Sequence, residues 1–309
     1  MSRLDEAFRK AEQQSPHARV VAPEEHPPDA NAGPFEAAWS FAQAESILPK
    51  PSAPAAFDPP RERSASEFGS PLAVFRGFRQ GLSERLVLGP DAKPAVVEQF
   101  RRLAATLHHA QVDRGMKTIL VTSALASEGK SLTSTNLALT LGESYRRSVL
   151  LIDADLRRPA LHDVFQVPNV SGLSDGLHAD AEKKLSLVQI TAGVTLLTAG
   201  RPDPDPMHVL TSDRMRRIIQ EAADRFDWVI IDTPPVALLP DANLLVSMVD
   251  AALLVVRAGQ TPYHLVLKAV DAIGRDRILG TVLNGAEETD TRYDYYQGYY
   301  KPLKPSLTG

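Results

Sequence analysis

Residues 118–131 read Thr118-Ile-Leu-Val-Thr-Ser-Ala-Leu-Ala-Ser-Glu-Gly-Lys-Ser131. An aliphatic, β-branched run gives way to a loop of small residues, and Gly129-Lys130-Ser131 opens a stretch with helical spacing of its apolar residues. A strand over 118–122 followed by a helix over 131–146 turns the loop N–H groups, and the helix N-terminus behind them, toward a phosphate. In that setting Lys130 reaches the β and γ oxygens of a nucleoside triphosphate and the Ser131 hydroxyl binds Mg2+. Ala126, Ser127, Glu128, Gly129 and Leu132 complete the cradle. The first glycine of the usual Gly-x-x-x-x-Gly-Lys-Ser pattern is Ala124 here, so a loop with less freedom at positive φ is expected.

Downstream, near-continuous Val/Ile/Leu runs fall at 148–153, 194–197, 228–232, 251–256 and 278–283, with helical patterns at 207–225 and 262–275. Runs without polar alternation belong to strands buried on both faces. Strand and helix in alternation imply crossovers between parallel strands, so the expected fold is α/β, a P-loop NTPase-like, doubly wound, mostly parallel sheet over residues 90–285. Such sheets bind ligands at the carboxyl ends of their strands, and two strand ends there are acidic. Asp153-Ala-Asp155-Leu-Arg-Arg-Pro159 places two carboxylates beside the loop, suited to Mg2+ ligation and to removing a proton from a hydroxyl nucleophile. An aspartate ahead of Pro159 also suits a turn or a helix cap. Trp228-Val-Ile-Ile-Asp232-Thr-Pro-Pro235 is Walker B-like, with Asp232 holding the metal directly or through water. Arg157 and Arg158 read either as a solvated pair or as cations that stabilise charge or dock an acidic partner. The eight histidines show no metal-ligand spacing.

The ends of the chain are skewed in composition. Of 24 prolines in 309 residues, ten fall in the first 60, so residues 1–89 are expected to form a largely disordered arm, with short helical patches at 2–13 and 35–48. Five of seven tyrosines (Tyr293, Tyr295, Tyr296, Tyr299 and Tyr300) lie in the flexible tail expected over 286–309. Beside a Mg2+–nucleotide site these phenols read as phosphate acceptors; without one, as an interface patch. Hydrophobic content of 43% with 23% charged residues excludes a wholly disordered or fibrous chain, and a net charge of −4 gives no electrostatic footprint for nucleic acid. No cysteine is present, which removes thiolate chemistry and disulfides. With neither a signal peptide nor an 18-residue apolar run in view, a cytoplasmic chain that reaches a membrane only through a partner is expected.

The loop at 123–131, the Val-Leu-Leu-Ile-Asp-Ala-Asp-Leu-Arg-Arg-Pro segment at 149–159, the Val-Ile-Ile-Asp-Thr-Pro-Pro segment at 229–235 and the tyrosine-rich tail together resemble the bacterial tyrosine kinases of capsule and exopolysaccharide export, of the soluble cytoplasmic kind. The resemblance spans residues 90–300. It implies that Lys130 and Ser131 bind MgATP, that Asp153, Asp155 and Asp232 serve metal binding and proton removal, and that neighbouring subunits phosphorylate the tail in trans. It leaves open which of Asp153 and Asp155 is the base. Asn284 corresponds to an adenine contact, and an ordinary turn residue is its other reading. A membrane-spanning co-polymerase as activator, and self-association in a ring or another homo-oligomer, are also implied. The family's ring motif Glu-x-x-Arg-x-x-Arg is matched only in part, as Glu98, Arg101 and Ala104. Where the family's loop often reads Pro-Gly-Glu-Gly-Lys-Ser, Ala126 and Ser127 replace the first two residues, implying weaker nucleotide affinity. Two other readings are a partitioning ATPase of the MinD/ParA type, whose early loop lysine is replaced by Leu125, and a nucleotide-binding scaffold without turnover.

Overall fold

A computed structural model describes residues 67–72, 75–88, 91–179 and 184–286. The helical patches expected at 2–13 and 35–48 and the five tail tyrosines lie outside the described residues. In chain order the elements are α1 (Pro94–Arg114), β1 (Thr118–Ser123), α2 (Lys130–Glu143), β2 (Val149–Asp153), α3 (Leu161–Val164), α4 (Leu173–His178), β3 (Val188–Gln189), β4 (Val194–Leu197), α5 (Met207–Leu210), α6 (Asp213–Arg225), β5 (Trp228–Asp232), α7 (Asp241–Val246), β6 (Ala251–Arg257), α8 (Tyr263–Ile273) and β7 (Ile278–Asn284).

The strands form one sheet in the order β3-β4-β2-β5-β1-β6-β7. Every pairing is parallel except β3 with β4. The short antiparallel β3 was not foreseen; its two residues carry no periodic signal. β1, β2 and β5 are buried along their whole length because helices cover both faces, and period-two alternation sends neighbours to opposite layers. Leu120, Leu150 and Ile152 enter one apolar cluster, while Ile119, Val121, Val149 and Leu151 enter the other. From β1 the chain crosses to β2 on one side, and β6 and β7 continue on the other, so the strand order reverses beside β1. A ligand crevice belongs at that point.

Local chemistry sets the boundaries. The expected helix over 207–225 is two helices, because the Ser212 side chain accepts the Met215 N–H (3.2 Å) and caps a fresh start at Asp213. α2 stops short of the expected residue 146, which turns left-handed at φ 52°. The packed domain also begins earlier than the expected residue 90: Phe68 and Leu86 are core residues. Leu86-Val87-Leu88, an apolar run just before Pro90, is the signal that the proline-rich composition upstream had masked. Among the described residues no helix is long and apolar enough to cross a membrane.

Candidate active site

β1 ends at Ser123, whose hydroxyl donates to the Leu125 carbonyl (2.7 Å) as the chain leaves the sheet. The loop then takes positive φ at Ser127 (65°) and Gly129 (95°) but not at Ala124, which is fully buried in the core. The missing first glycine therefore removes no left-handed position, and the expected stiffening at Ala124 does not arise. Gly129 is required twice over: its φ disfavours any side chain, and a Cβ would run into the Asn284 amide. That amide, at the end of β7, donates from Nδ2 to the Glu128 carbonyl (2.8 Å). The buried Glu128 carboxylate accepts the Leu125 N–H (2.8 Å) and the Thr261 hydroxyl. Glu128 and Asn284 thus hold the loop in shape from within, and Ala126 and Ser127 form its exposed tip. The N–H groups of Lys130, Ser131 and Leu132 in the first turn of α2 have no intrahelical carbonyl to reach. Thr133 is the first to find one, at Gly129 (2.9 Å).

Parallel pairing of β2 with β5 sets Asp153 directly beside Asp232. Lys130 reaches into this corner, with Nζ 3.0 Å from Asp155 Oδ2, 4.0 Å from Asp232 Oδ2 and 3.3 Å from Ser131 Oγ. The three aspartates are all buried but differently satisfied. Asp153 Oδ2 accepts the Ala160 and Leu161 N–H groups (both 3.0 Å), and its Oδ1 accepts that of Asp155 (3.3 Å). The cap reading therefore falls on Asp153, and the turn ahead of Pro159 on Asp155. Asp155 is committed to Lys130 and to the Arg158 N–H (3.1 Å). Neither oxygen of Asp232 receives a hydrogen bond of good geometry; the Ser131 and Ser134 hydroxyls lie close enough to favour its charged form, although Ser134 donates to the Ser131 carbonyl (3.0 Å). Among the described residues no three His, Asp or Glu side chains converge into a ready metal cage, so the open donors are Ser131 and Asp232, while Asp153 is engaged by backbone.

Burial, and next the Asp232 charge, push the Asp153 pKa up to about 7 against the pull of the Leu161 and Ala160 N–H groups. Burial likewise raises Asp232, opposed by the Lys130 ammonium. For Lys130 burial works the other way, yet the Asp232 and Asp155 carboxylates outweigh it and leave its pKa above the ordinary lysine value. A fixed cation thus sits in a corner where burial makes the Asp153 and Asp232 carboxylates harder to ionise.

Arg157 does not face this corner. Its Nε and Nη2 donate to Asp241 Oδ2 (2.7 Å) and Oδ1 (3.1 Å), and its Nη1 to the Pro204 carbonyl. It is therefore a clamp between the β2–α3 loop and α7, neither a solvated cation nor a phosphate ligand, while Arg158 is exposed. Asp241 and Thr261 escaped the sequence reading. Each follows or precedes a proline at a helix start, Pro240 and Pro262, and that pairing was the available signal.

Over 229 residues, covering 72% of the chain and 94% of the relative, the sequence is 34% identical to tyrosine-protein kinase YwqD of Bacillus subtilis. The chain belongs to the bacterial tyrosine kinases. This kinase is also 30% identical to putative tyrosine-protein kinase CapB of Staphylococcus aureus, over 67% of the chain and 92% of that relative. Its backbone superposes on the crystal structure of the chimerical protein CapA2B2 with a TM-score of 0.61 at 28% identity, covering 69% of this chain and 94% of that one. The kinase domain of Escherichia coli tyrosine kinase ETK gives 0.59 at 33% identity, covering 64% and 80%. No family-level sequence profile matches the chain. As a protein-tyrosine kinase it is an enzyme, and the switch-ATPase and scaffold readings give way. Its partial ring motif lies on α1: Glu98 pairs with Arg102 (3.5 Å), Arg101 is exposed, and Ala104 is fully buried in the core. An arginine at position 104 would have to enter the core, which accounts for the departure.

Proposed function

We propose that this kinase transfers the γ-phosphoryl group of MgATP to Tyr293, Tyr295, Tyr296, Tyr299 and Tyr300 of a neighbouring copy, and so regulates polymerisation and export of a capsule or exopolysaccharide. The observation that carries this reading is buried Asp232, whose oxygens receive no hydrogen bond of good geometry and whose nearest cation is Lys130 at 4.0 Å, next to Ser131. A buried carboxylate without a hydrogen bond of good geometry is costly, and Asp232 and the Ser131 hydroxyl would hold a cation that offsets that cost. Mg2+ binds through one or two carboxylates plus phosphate oxygens and keeps several waters, which matches a site with a single open carboxylate. When bound, the metal supplies neutralisation of the charge that develops on the phosphates.

The chain's own residues do the rest. The N–H groups of Lys130, Ser131 and Leu132 donate to the phosphate oxygens at the N-terminus of α2. Lys130, kept cationic by Asp155 and Asp232, reaches the β and γ oxygens, while Asp155 fixes its direction. Asp153 accepts the proton of the tyrosine Oη as the Oη–P bond forms and the bond from Pγ to the ADP oxygen breaks. Its pKa of about 7 suits a general base at neutral pH, and its N–H partners, two on Oδ2 and one on Oδ1, leave Oδ1 a further lone pair. A membrane-spanning co-polymerase anchors and activates the chain at the membrane. Each phosphotyrosine adds up to about two negative charges, so a phosphorylated tail drives copies apart.

The test incubates the purified full chain with MgATP, with and without the cytoplasmic segment of a candidate co-polymerase, and maps phosphotyrosine by mass spectrometry. Lys130→Met is expected to lose about a thousandfold of the signal. Mixing Lys130→Met acceptor with active kinase truncated before Tyr293 restores phosphorylation of the acceptor tail if transfer is in trans. ATP hydrolysis without phosphotyrosine overturns the reading.

A further inference from the structure

The stretch upstream of α1 supplies no group to the site, yet it lies across both elements that shape it. At its start, residues 67–72 run along the edge of the sheet. The Gly69 and Leu72 N–H groups donate to the Leu185 (3.0 Å) and Leu187 (2.8 Å) carbonyls, and the Leu185 and Gln189 N–H groups donate back to Glu67 (2.7 Å) and Leu72 (3.0 Å). Buried Glu67 pairs with Arg214 (3.1 Å) and Arg217 (3.3 Å) of α6. At its far end the Val87 N–H donates to Asn136 Oδ1 (2.9 Å), and Asn136 Nδ2 donates to the Arg85 carbonyl (2.8 Å). Asn136 lies on α2, the helix that carries Lys130.

Between these anchors the chain crosses α3. Phe75 and Phe78 stack edgewise on each other (5.2 Å between ring centroids) and close over Phe165 (6.1 and 5.8 Å). The Arg79 N–H donates to the Val164 carbonyl (2.9 Å). α3 is a single turn of four residues, far below the length at which a helix persists by itself. Its start holds Asp153 through the Ala160 and Leu161 N–H groups, and its end is held by the crossing chain. Whatever fixes the end of so short a turn also fixes its start.

We infer that residues 75–87 form a strap in which Phe75 and Phe78 are positioning residues: acting through Phe165 and α3, they keep the Ala160 and Leu161 N–H groups on Asp153 and thereby set the rate of phosphoryl transfer. The ring contacts of Phe75 and Phe78 run to Phe165 and not to the phosphate loop 124–131, so trimming the rings acts on turnover and not on nucleotide binding. This inference rests on Asp153 as the proton acceptor. The anchors at Glu67 and Asn136 are remote from the rings, so trimming the rings loosens the crossing while the segment stays attached.

The experiment compares full-length chain with Phe75→Ala/Phe78→Ala and with the conservative Phe75→Leu/Phe78→Leu pair. Hydrogen exchange followed by mass spectrometry is expected to rise about tenfold in peptides covering 158–166 of the alanine variant and to stay unchanged in β1 and β5. Its kcat for phosphotyrosine formation falls about tenfold with KM for ATP within about twofold, and the leucine pair restores both. Unchanged exchange over 158–166, a rise shared by β1 and β5, or faster exchange over 158–166 with unaltered kcat each overturns the strap. If the parent chain forms no phosphotyrosine at all, the kinase reaction assigned above fails instead, and the exchange measurement still decides whether the strap holds α3.

Discussion

Two regions at the carboxyl rim of the sheet bury an aspartate completely and treat it in opposite ways. Asp241 receives a two-pronged guanidinium from Arg157, whose third contact, the Pro204 carbonyl, closes the clamp. Asp232 receives no hydrogen bond of good geometry, and its nearest cation is Lys130 at 4.0 Å. A carboxylate taken out of water costs several kcal/mol unless it is paired. The first region meets that cost within the fold; in the second, on the function proposed above, a bound cation would meet it. Burial and charge alone would rank the two aspartates alike; the inventory of partners separates them.

The sharpest way to break this comparison is to delete each carboxylate in turn. Asp241→Ala leaves the Arg157 guanidinium without its carboxylate and is expected to lower unfolding stability by about 3 kcal/mol in urea titrations without nucleotide. Asp232→Ala is expected to leave nucleotide-free stability unchanged or to raise it by about 1 kcal/mol, since it removes a buried carboxylate that no hydrogen bond of good geometry satisfies. Phosphotyrosine formation by Asp232→Ala should nonetheless fall by about a hundredfold or more. The reverse pattern, stability lost at Asp232 and retained at Asp241, would dissolve the distinction.

A smaller effect comes from the proton that Asp153 carries. Its pKa is raised to about 7 in the folded chain and is about 4 in an unfolded one, so between these values the folded state holds the extra proton. Stability from this group is therefore greatest at the acidic end, falls as pH rises through that window, and reaches its floor above about pH 7. Asp153→Asn keeps an acceptor for the Ala160 and Leu161 N–H groups and removes the charge beside Asp232. Its nucleotide-free melting temperature should vary less between pH 5 and 8 than that of the parent, with a gain of about 1–3 kcal/mol at pH 8. A slope equal to the parent's would locate the proton elsewhere.

The sheet and the first contacts of the site were legible because they rest on patterns local in sequence. Four of the five apolar runs after β1 announced buried strands correctly, while the fifth, 278–283, is the edge strand β7 and stays partly exposed for want of a neighbour beyond it; Asp153 and Asp232 were visible as the residues that end two of these runs. What escaped depends on contacts between distant segments. Nothing near Asp241 announces Arg157, and nothing in 67–88 announces an aromatic contact with Phe165. Ala124 misled because a consensus glycine was equated with a left-handed residue, whereas the loop makes its turns at Ser127 and Gly129. The helix over 207–225 was drawn through Ser212 because apolar spacing continues across the cap.

The smallest effect concerns the loop itself, which is the part of the open region that the fold does secure. Thr261 donates its hydroxyl to the Glu128 carboxylate and accepts the Arg257 N–H (3.0 Å), tying the start of α8 to the phosphate loop. Thr261→Val preserves shape and removes both bonds, while the Leu125 N–H and the Asn284 amide continue to hold Glu128. A hydrogen bond to a charged group contributes about 1.5–3 kcal/mol, and part of the loop's shape is kept by the Leu125 N–H and the Asn284 amide. The expected result is a KM for ATP raised about three- to tenfold with kcat within about twofold, since the lost interaction shapes binding and not proton transfer. An unchanged KM would show that Asn284 and Leu125 suffice, confining the internally secured part of the site to β7 and the loop. A fall in kcat instead would extend the functional region to α8, because it would mean that the loop's shape, and not only the carboxylates around Lys130, is felt at the transferring phosphoryl group.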